Sequence, residues 1–399
     1  MATTVSTPVS THEKLLRSRE ASTQLAQLST IQKNAMLLVM AKAIEAGENS
    51  ILEANRADLE SSGLAGPMRD RLLLNAERIA EIARGLREVA NLPDPVYERL
   101  AEWERPNGLR IRKVRVPLGV VGIIYESRPN VTVDTVALAL KTSNAIVLRG
   151  GKEAAHSNQR LVEILTSVVG VPEGAIQLLD SSTRDSVQEL IKARGLVDVI
   201  IPRGGPELIT YVTENSAVPV IETGAGNCHI FVDESADFDM ADRIVINAKT
   251  QRPSVCNAAE KLLVHERIAS DYVPRIVKKL LDCGVEVRGD EATCRLAAGL
   301  NVIPVVPQDW GEEYLRLCIA IRVLLDVKEA IAHINRHSTK HSEAIVTRDE
   351  QNARSDGAEF GFGAEMGIST QKLHCRGPFA LAELTSTKYE VIGTGQIRS

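Results

Sequence analysis

The 399-residue chain has little aromatic content, 3%, and no long run of one charge: 47 Lys plus Arg stand against 52 Asp plus Glu. Without a basic block to neutralise a row of phosphates, nucleic acid is excluded as a partner. The longest apolar stretch, Val116 to Tyr125, is about half the ~20 residues that cross a bilayer, so no membrane span is expected. Its first ten residues lack both a basic start leading into an apolar run and an Arg-rich amphipathic pattern, and the expected location is cytoplasmic. The six cysteines (Cys228, Cys256, Cys283, Cys294, Cys318, Cys375) include no Cys-x-x-Cys pair and read as free thiols in a reducing compartment. Neither a Walker loop nor a Gly-x-Gly-x-x-Gly fingerprint occurs, and there is no internal repeat.

What is present is a large apolar fraction, 44%, in a chain longer than one core usually supports, so two domains are expected. From His12 to Val89 the pattern is helical, with Ile31, Ala35, Leu38 and Val39 at helix spacing and Ser29 with Gln32 as a capping box. Leu109 to Val116 alternates apolar with Arg or Lys, as a two-faced, solvent-edged strand does. A run of βα units follows: strands Gly119 to Tyr125, Ala145 to Arg149, Ile176 to Leu179, Leu196 to Ile201 and Val218 to Ile221, with helices from Val131, Ala155, Asp185 and Glu207 between them. Short apolar strands between amphipathic helices require a parallel sheet covered on both faces, hence an α/β fold with a Rossmann-like cofactor domain. A second alternation from His229, through strand Leu262 to His265, helix Ala269 to Leu281, strand Val302 to Val306 and helix Lys328 to Asn335, reads as a second α/β domain.

Several residues could carry chemistry. Cys256 lies in a small-residue segment, Thr250 to Ala258, between a predicted helix and a strand, where amide dipoles or a cation could favour a thiolate; the plain alternative is a buried small hydrophobe. Glu222-Thr223-Gly224-Ala225-Gly226 follows a strand, its glycines permitting close backbone approach, or it is a plain interdomain turn. Arg128-Pro129 and Arg252-Pro253 suit an anionic substrate through a bidentate guanidinium, or are surface arginines beside loop prolines. Arg149-Gly150-Gly151-Lys152 ends a strand and enters a helix, where bare amides and a lysine could meet a phosphate. His333, His337 and His341 are spaced by four, but the predicted helix ends near Asn335, so a solvated helix end is expected and no metal site.

Taken in order, Pro117-x-Gly119-Val120, the strand ending at Arg149, Glu222-x-Gly224-x-Gly226 and Cys256, thirty-four residues beyond Glu222, resemble the aldehyde dehydrogenase superfamily. Within it the γ-glutamyl phosphate reductases, or glutamate-5-semialdehyde dehydrogenases, are more similar and over nearly the whole chain: YESRPNVTVD (Tyr125 to Asp134), LRGGKE (Leu148 to Glu153), QRPSVCNA (Gln251 to Ala258) and EFGFGAEMGISTQKLHCRGP (Glu359 to Pro378) carry the likeness. The resemblance implies NADPH-dependent reduction of L-glutamyl 5-phosphate to L-glutamate 5-semialdehyde with phosphate release, a step of proline biosynthesis. It implies Cys256 as the nucleophile that forms a thioester, Asn130 and amides near Cys256 around the oxyanion, and Arg128 and Arg252 as substrate grips. Arg149, Gly150, Gly151, Lys152, Gly224 and Glu313 fall near the dinucleotide, Glu313 at the nicotinamide ribose. Glu222 matches the general base of hydrolytic relatives, and its role in a reduction stays open.

The implied architecture is a dinucleotide-binding domain over residues 1–104 and 117–226, a catalytic domain over 227–382, and a β oligomerisation flap from 105–116 with 383–399. A homo-oligomer, dimer or tetramer, follows from that flap, and transient contact with glutamate 5-kinase from the substrate. Between Arg354 and Asp356 the family carries roughly twenty further residues, including a strand, so a gap in the second sheet is expected. Either the chain as it stands omits a mobile segment or the variant is impaired, and the family pattern on both flanks favours the first. The rival functions are an oxidising aldehyde dehydrogenase for another small aldehyde and a catalytically silent partner of glutamate 5-kinase.

Overall fold

The computed structural model describes residues 9–349, 367–369, 371, 374 and 377–394. Among these the chain forms two compact units, the first running to Thr223 and including the C-terminal segment from 374 onward, the second beginning at Gly224. No described helix is long and apolar enough to cross a membrane.

The first unit opens with α1 (Thr11–Leu25), α2 (Thr30–Ala46), α3 (Glu48–Ser61), α4 (Gly66–Leu72) and α5 (Ala76–Asn91). The capping box at the start of α2 is formed: Ser29 Oγ accepts from the Gln32 amide at 3.3 Å, and Gln32 Oε1 accepts from the Ser29 amide at 2.9 Å. The buried stripe of α2, however, is Met36, Leu37, Met40, Ala41 and Ile44, while Ile31, Ala35, Leu38 and Val39 face outward, Ile31 at 81% exposure. This helix is apolar on two sides, so periodicity alone could not choose the inward one.

Strands β1 (Arg99–Glu104) and β2 (Arg110–Pro117) precede the βα run: β3 (Val120–Tyr125), α6 (Pro129–Lys141), β4 (Ala145–Arg149), α7 (Ala155–Thr166), β5 (Ile176–Leu178), α8 (Asp185–Lys192), β6 (Val199–Arg203) and α9 (Pro206–Asn215). Strands β3 to β6 form one parallel sheet in the order β5-β4-β3-β6. The chain therefore reverses its direction across the sheet between β3 and β6, where α/β sheets open a crevice beyond their carboxyl ends. The strand expected at Val218 to Ile221 is reduced to a single bridge, Ile200 with Val220. Pro219 has no amide to give a ladder, and only its carbonyl is used, by Ile200 at 2.8 Å.

The second unit contains β7 (Cys228–Val232), α10 (Phe238–Thr250), β8 (Ala259–His265), α11 (Glu266–Asp282), β9 (Glu286–Gly289), α12 (Glu291–Leu296), β10 (Val302–Pro304), β11 (Cys318–Leu324), α13 (Val327–His337) and β12 (Glu343–Val346). Its sheet is parallel, in the order β10-β9-β11-β8-β7-β12. Among the described residues these six strands are continuous, so the expected gap is not found inside the sheet; β12 is an edge. The position of the shortened segment, after Arg354, lies outside the described residues.

Strands β13 (Gly367–Ser369) and β14 (Gly377–Phe379) precede β15 (Thr385–Ile392). β2 lies between β1 and β15, antiparallel to both, so the alternating Arg-rich strand is the middle of a three-stranded flap, not an edge. The flap also starts earlier than expected, at Arg99, because Arg99 to Glu104 pair with Arg110 to Val114. Its arginines meet carboxylates across the strands: Arg112 Nε to Glu102 at 3.1 Å and Arg115 Nε to Glu98 at 2.8 Å.

Asp58, 1% exposed on α3, accepts from the amides of His156 (3.0 Å) and Ser157 (2.8 Å) and from the Ser157 hydroxyl (2.6 Å), sealing the first turn of α7. Asp58→Ala leaves those donors buried and unmet, and urea unfolding is expected to show a loss of about 2 kcal/mol; a loss under about 0.5 kcal/mol would show that α7 does not need this cap.

Candidate active site

Cys256 sits on the connection between α10 and β8. The residue before a proline is disfavoured in the helical region, so Arg252-Pro253 ends α10, and small residues then turn the chain by bonds from Val255 N to Arg252 O (3.2 Å) and Ala258 N to Val255 O (3.1 Å). Cys256 and Arg252 are both exposed on this turn.

Beneath it lies Gly226. A Cβ built there would stand 1.4 Å from the Cys256 carbonyl oxygen, so only glycine fits. The Gly226 amide donates to Glu313 Oε1 at 2.8 Å, and the buried Cys228 thiol donates to the Cys256 carbonyl at 3.1 Å. Burial, with Glu343 and other acids nearby, pushes the Cys228 thiol far up, which keeps it a donor. The structure thus brings together Cys256, Arg252, Gly226 and Glu313. Gly224 is not part of this contact; its amide donates to Ile368 O at 3.2 Å.

In the first unit, β3 ends at Tyr125, and Pro129 occupies the first turn of α6, where its missing donor costs nothing. Asn130 Nδ2 donates to Asp134 Oδ2, one helical turn on, at 3.1 Å. Asp134 is enclosed by protein though not sealed from solvent, and burial lifts its carboxyl to about 6, against the pull of Asn130 and Arg203. At the end of β4, Gly150 lies against Asn158 and Tyr125, where a Cβ would stand 2.2 Å from Asn158 Nδ2. Arg149 braces the neighbouring loop by donating to the carbonyls of Thr183 (2.8 Å) and Gly150 (3.0 Å), whereas Lys152 is exposed. Glu222 is half-buried and Thr223 bonds Pro202 O at 2.6 Å.

Glu126, Asp134 and the turn Arg203-Gly204-Gly205-Pro206 also stand here, and none of them is among the candidate residues of the sequence. The last ends β6 and starts α9 beside the crevice, and the Gly205 amide meets the Glu126 carboxylate at 3.0 Å. Its signal was available: an apolar strand ending in Arg-Gly-Gly occurs twice, at Arg149 and at Arg203.

The three spaced histidines make no solvated helix end. α13 runs to His337, and His333 is buried edge-on to Trp310 (5.2 Å between ring centroids) and His229 (5.6 Å), its Nδ1 accepting from Arg322 at 2.8 Å. Burial and Arg322 hold His333 down at about 3, so the ring is neutral. Among the described residues no cluster of His, Cys, Asp and Glu could hold a metal ion. Most of the Glu359 to Pro378 motif, with Cys375, lies outside the described residues.

The aldehyde dehydrogenase family model matches residues 4–295. The γ-glutamyl phosphate reductase of Koribacter versatilis (strain Ellin345) is 68% identical over 409 aligned positions, covering 98% of this chain and 100% of the relative. The chain belongs to the γ-glutamyl phosphate reductases, within the aldehyde dehydrogenase family. Since 409 positions exceed the 399 residues here, the Koribacter reductase has positions without a counterpart. The Moorella thermoacetica γ-glutamyl phosphate reductase is 52% identical, covering 96% of this chain and 97% of its own. A crystal structure of the Thermotoga maritima γ-glutamyl phosphate reductase superposes with a TM-score of 0.91 at 46% identity, over 98% of this chain and 100% of that one. Membership of the aldehyde dehydrogenase family supports use of a nicotinamide cofactor.

Two outcomes follow from this geometry. Gly226→Ala is expected to displace the Cys256 turn and lower kcat about 100-fold while circular dichroism stays native, and full activity would contradict the close approach. Asp134 has a folded pKa of about 6 against 3.8 when unfolded, so the folded state binds the extra proton between these values and the ionised group lowers stability above about pH 6. Asp134→Asn mimics the protonated form: scanning calorimetry should give a raised Tm at neutral pH and a gain that vanishes below the unfolded value. A gain that grows on acidification would reverse the assignment.

Proposed function

We propose that the chain catalyses NADPH-dependent reduction of L-glutamyl 5-phosphate to L-glutamate 5-semialdehyde, releasing phosphate, in the proline biosynthesis of the cytoplasm. The observation that carries the reading is the setting of Cys256, compared with the other described cysteines. Burial puts the Cys228 thiol out of reach of ionisation, pushes Cys318 up to about 12, and raises Cys294 beside Asp290. Cys283 caps the carboxyl end of α11, among carbonyl oxygens. Cys283 is exposed as well, but among the described cysteines only Cys256 stands on a turn of small residues, one that begins at an arginine.

On this reading the Cys256 thiolate adds to the acyl carbon of the substrate, and phosphate leaves with the C–O bonding pair, giving a thioester on the sulfur. Amides of the Cys256 turn and the Asn130 side chain stabilise the oxyanion, with Asp134 fixing the Asn130 amide. A nicotinamide dinucleotide, when bound, supplies the hydride for the second half of the reaction. Cys256 then departs from the new aldehyde carbon as thiolate, ready for another turnover. Arg128 and Arg252 grip the carboxylate and phosphoryl groups. Arg149, Gly150, Gly151, Lys152, Gly224 and Glu313 hold the dinucleotide, the glycines after β4 and the exposed Lys152 suiting an anionic ligand, while the Gly205 amide after β6 is taken by the Glu126 carboxylate. Reduction of an acyl phosphate consumes no water, so Glu222 has no hydrolytic step to serve.

The flap supports a homo-oligomer, dimer or tetramer: Trp103 and Tyr389 stack edge-on at 6.1 Å and stay substantially exposed, as do Val391 and Leu100. The lability of an acyl phosphate favours transient contact with glutamate 5-kinase, its supplier.

The test is the reverse reaction, oxidation of glutamate semialdehyde with NADP or NAD, with and without inorganic phosphate. Turnover should require phosphate, favour NADP, and fall about 1000-fold or more in Cys256→Ala. Phosphate-independent oxidation would make the chain an oxidising aldehyde dehydrogenase, and an unchanged rate in Cys256→Ala would remove the sulfur from the mechanism.

A further inference from the structure

Three charged side chains of the second unit, Lys249, Glu260 and Lys261, are fully buried, and the reaction above uses none of them. Lys249, in the last turn of α10, lies 3.0 Å from Glu260, the second residue of β8. These two residues bracket the turn that carries Cys256, and their ion pair closes it at the base. The other Glu260 oxygen accepts from the Leu315 amide at 3.3 Å. Lys261 Nζ donates to the Glu312 carbonyl at 2.7 Å and stands 4.4 Å from the centroid of the Tyr314 ring. Glu313 is thus held on both sides, and Leu315, left-handed at φ 52°, is kept in a conformation a leucine seldom adopts.

A local irregularity makes this reach geometrically available. Cys228 and His229, adjacent on β7, pair with Ala259 and Lys261 on β8, so Glu260 is an extra residue without a partner across the ladder. Neighbouring side chains of a regular strand point to opposite faces. The bulge lets both Glu260 and Lys261 meet the same segment, 312–315.

We propose that Lys249, Glu260 and Lys261 are positioning residues that fix the Cys256 turn and Glu313 relative to each other, without touching substrate or dinucleotide. The inference rests on the reading of Cys256 as nucleophile and Glu313 as dinucleotide ligand. Holding α10 to β8 does not by itself require charge, since a well-packed apolar pair of similar volume commonly serves as well or better. An apolar pair cannot accept from Leu315 N, nor can a methionine at 261 donate to Glu312 O. Those two bonds are what the charged residues add.

The test compares the full chain with Lys249→Met/Glu260→Leu, Lys261→Met and Lys261→Arg. Four quantities are read: Tm, NADPH affinity by fluorescence titration, alkylation of Cys256 by iodoacetamide followed by mass spectrometry, and phosphate-dependent turnover. The double variant should keep its Tm within a few degrees yet lose turnover about 100-fold. Lys261→Met should weaken NADPH about tenfold while Cys256 alkylation stays within about twofold, and Lys261→Arg, which keeps a donor, should recover part of the affinity. If the double variant does not fold, Lys261→Met decides alone. The proposal is overturned if the folded variants keep both NADPH affinity and turnover within about twofold of the parent, or if Lys261→Met slows alkylation and weakens NADPH only in step with a fall in Tm. Turnover that survives Cys256→Ala defeats the underlying reading instead, and it is distinguishable because NADPH binding to Lys261→Met is measured without turnover.

Discussion

The contact on which the second unit's site depends is the approach of two backbones, Gly226 against the Cys256 carbonyl, at a distance no side chain could survive. Because β7 begins just beyond Gly226 and β8 just beyond Cys256, this contact also sets where the two strands enter their common sheet. The same glycine passes the constraint on, since its amide is bonded to Glu313. The Cys256 carbonyl is in turn held by a thiol that its surroundings keep protonated, so the turn is supported from below by a neutral donor. A charge at Cys228 would repel a thiolate at Cys256; burial prevents it.

Legibility in the sequence followed from how much each element depended on its own residues. β3 and β4 are buried on both faces and therefore read as continuous apolar runs, and β4 was legible to the residue, Ala145 to Arg149. The capping box at Ser29 and Gln32 was equally legible, being a bond between residues three apart. The inward face of α2 was not, since tertiary packing selects between two apolar sides. β11 escaped although it is an apolar run in the middle of the sheet, because Cys318 to Leu324 includes an arginine and lies among loops that gave no period. The spacing of His333 suggests a helix end in water, yet it is packed between Trp310 and His229, partners from distant segments that sequence spacing cannot reveal.

The site shows the same division. The Arg-Pro, Arg-Gly-Gly and Gly-x-Gly patterns could be read as chemistry because each acts within a few residues: proline ends a helix, glycine admits a backbone, a strand's end presents amides. The second Arg-Gly-Gly, at Arg203, passed unnoticed because no lysine follows it, although its backbone geometry is the same device at the other side of β3. Glu126 and Asp134 became visible only through burial and partners, the amide of Gly205 for one and Asn130 for the other.

Buried charge is the hardest thing to see from a sequence and the most demanding to keep. Lys249, Glu260 and Lys261 look like ordinary surface residues on paper, since such types are almost never fully buried unless paired. Desolvation lowers Lys249 and brings Lys261 to about 8, while raising Glu260; Glu260 and the lysines oppose that loss of charge in one another, and Lys249 adds to it at Lys261. Removing one member of such a set typically costs about 3–5 kcal/mol, whereas replacing a pair by apolar residues can be neutral. That asymmetry separates stability from placement: the fold loses least when Lys249 and Glu260 are replaced together, and only the complete set can hold a carbonyl at 312 and an amide at 315. A bulge that leaves Glu260 unpaired on the ladder is a further local cost, and it stands beside the turn whose geometry the chemistry requires. Stability alone explains neither cost; on the proposed reading, what does is the need to hold the Cys256 turn and Glu313 in fixed places.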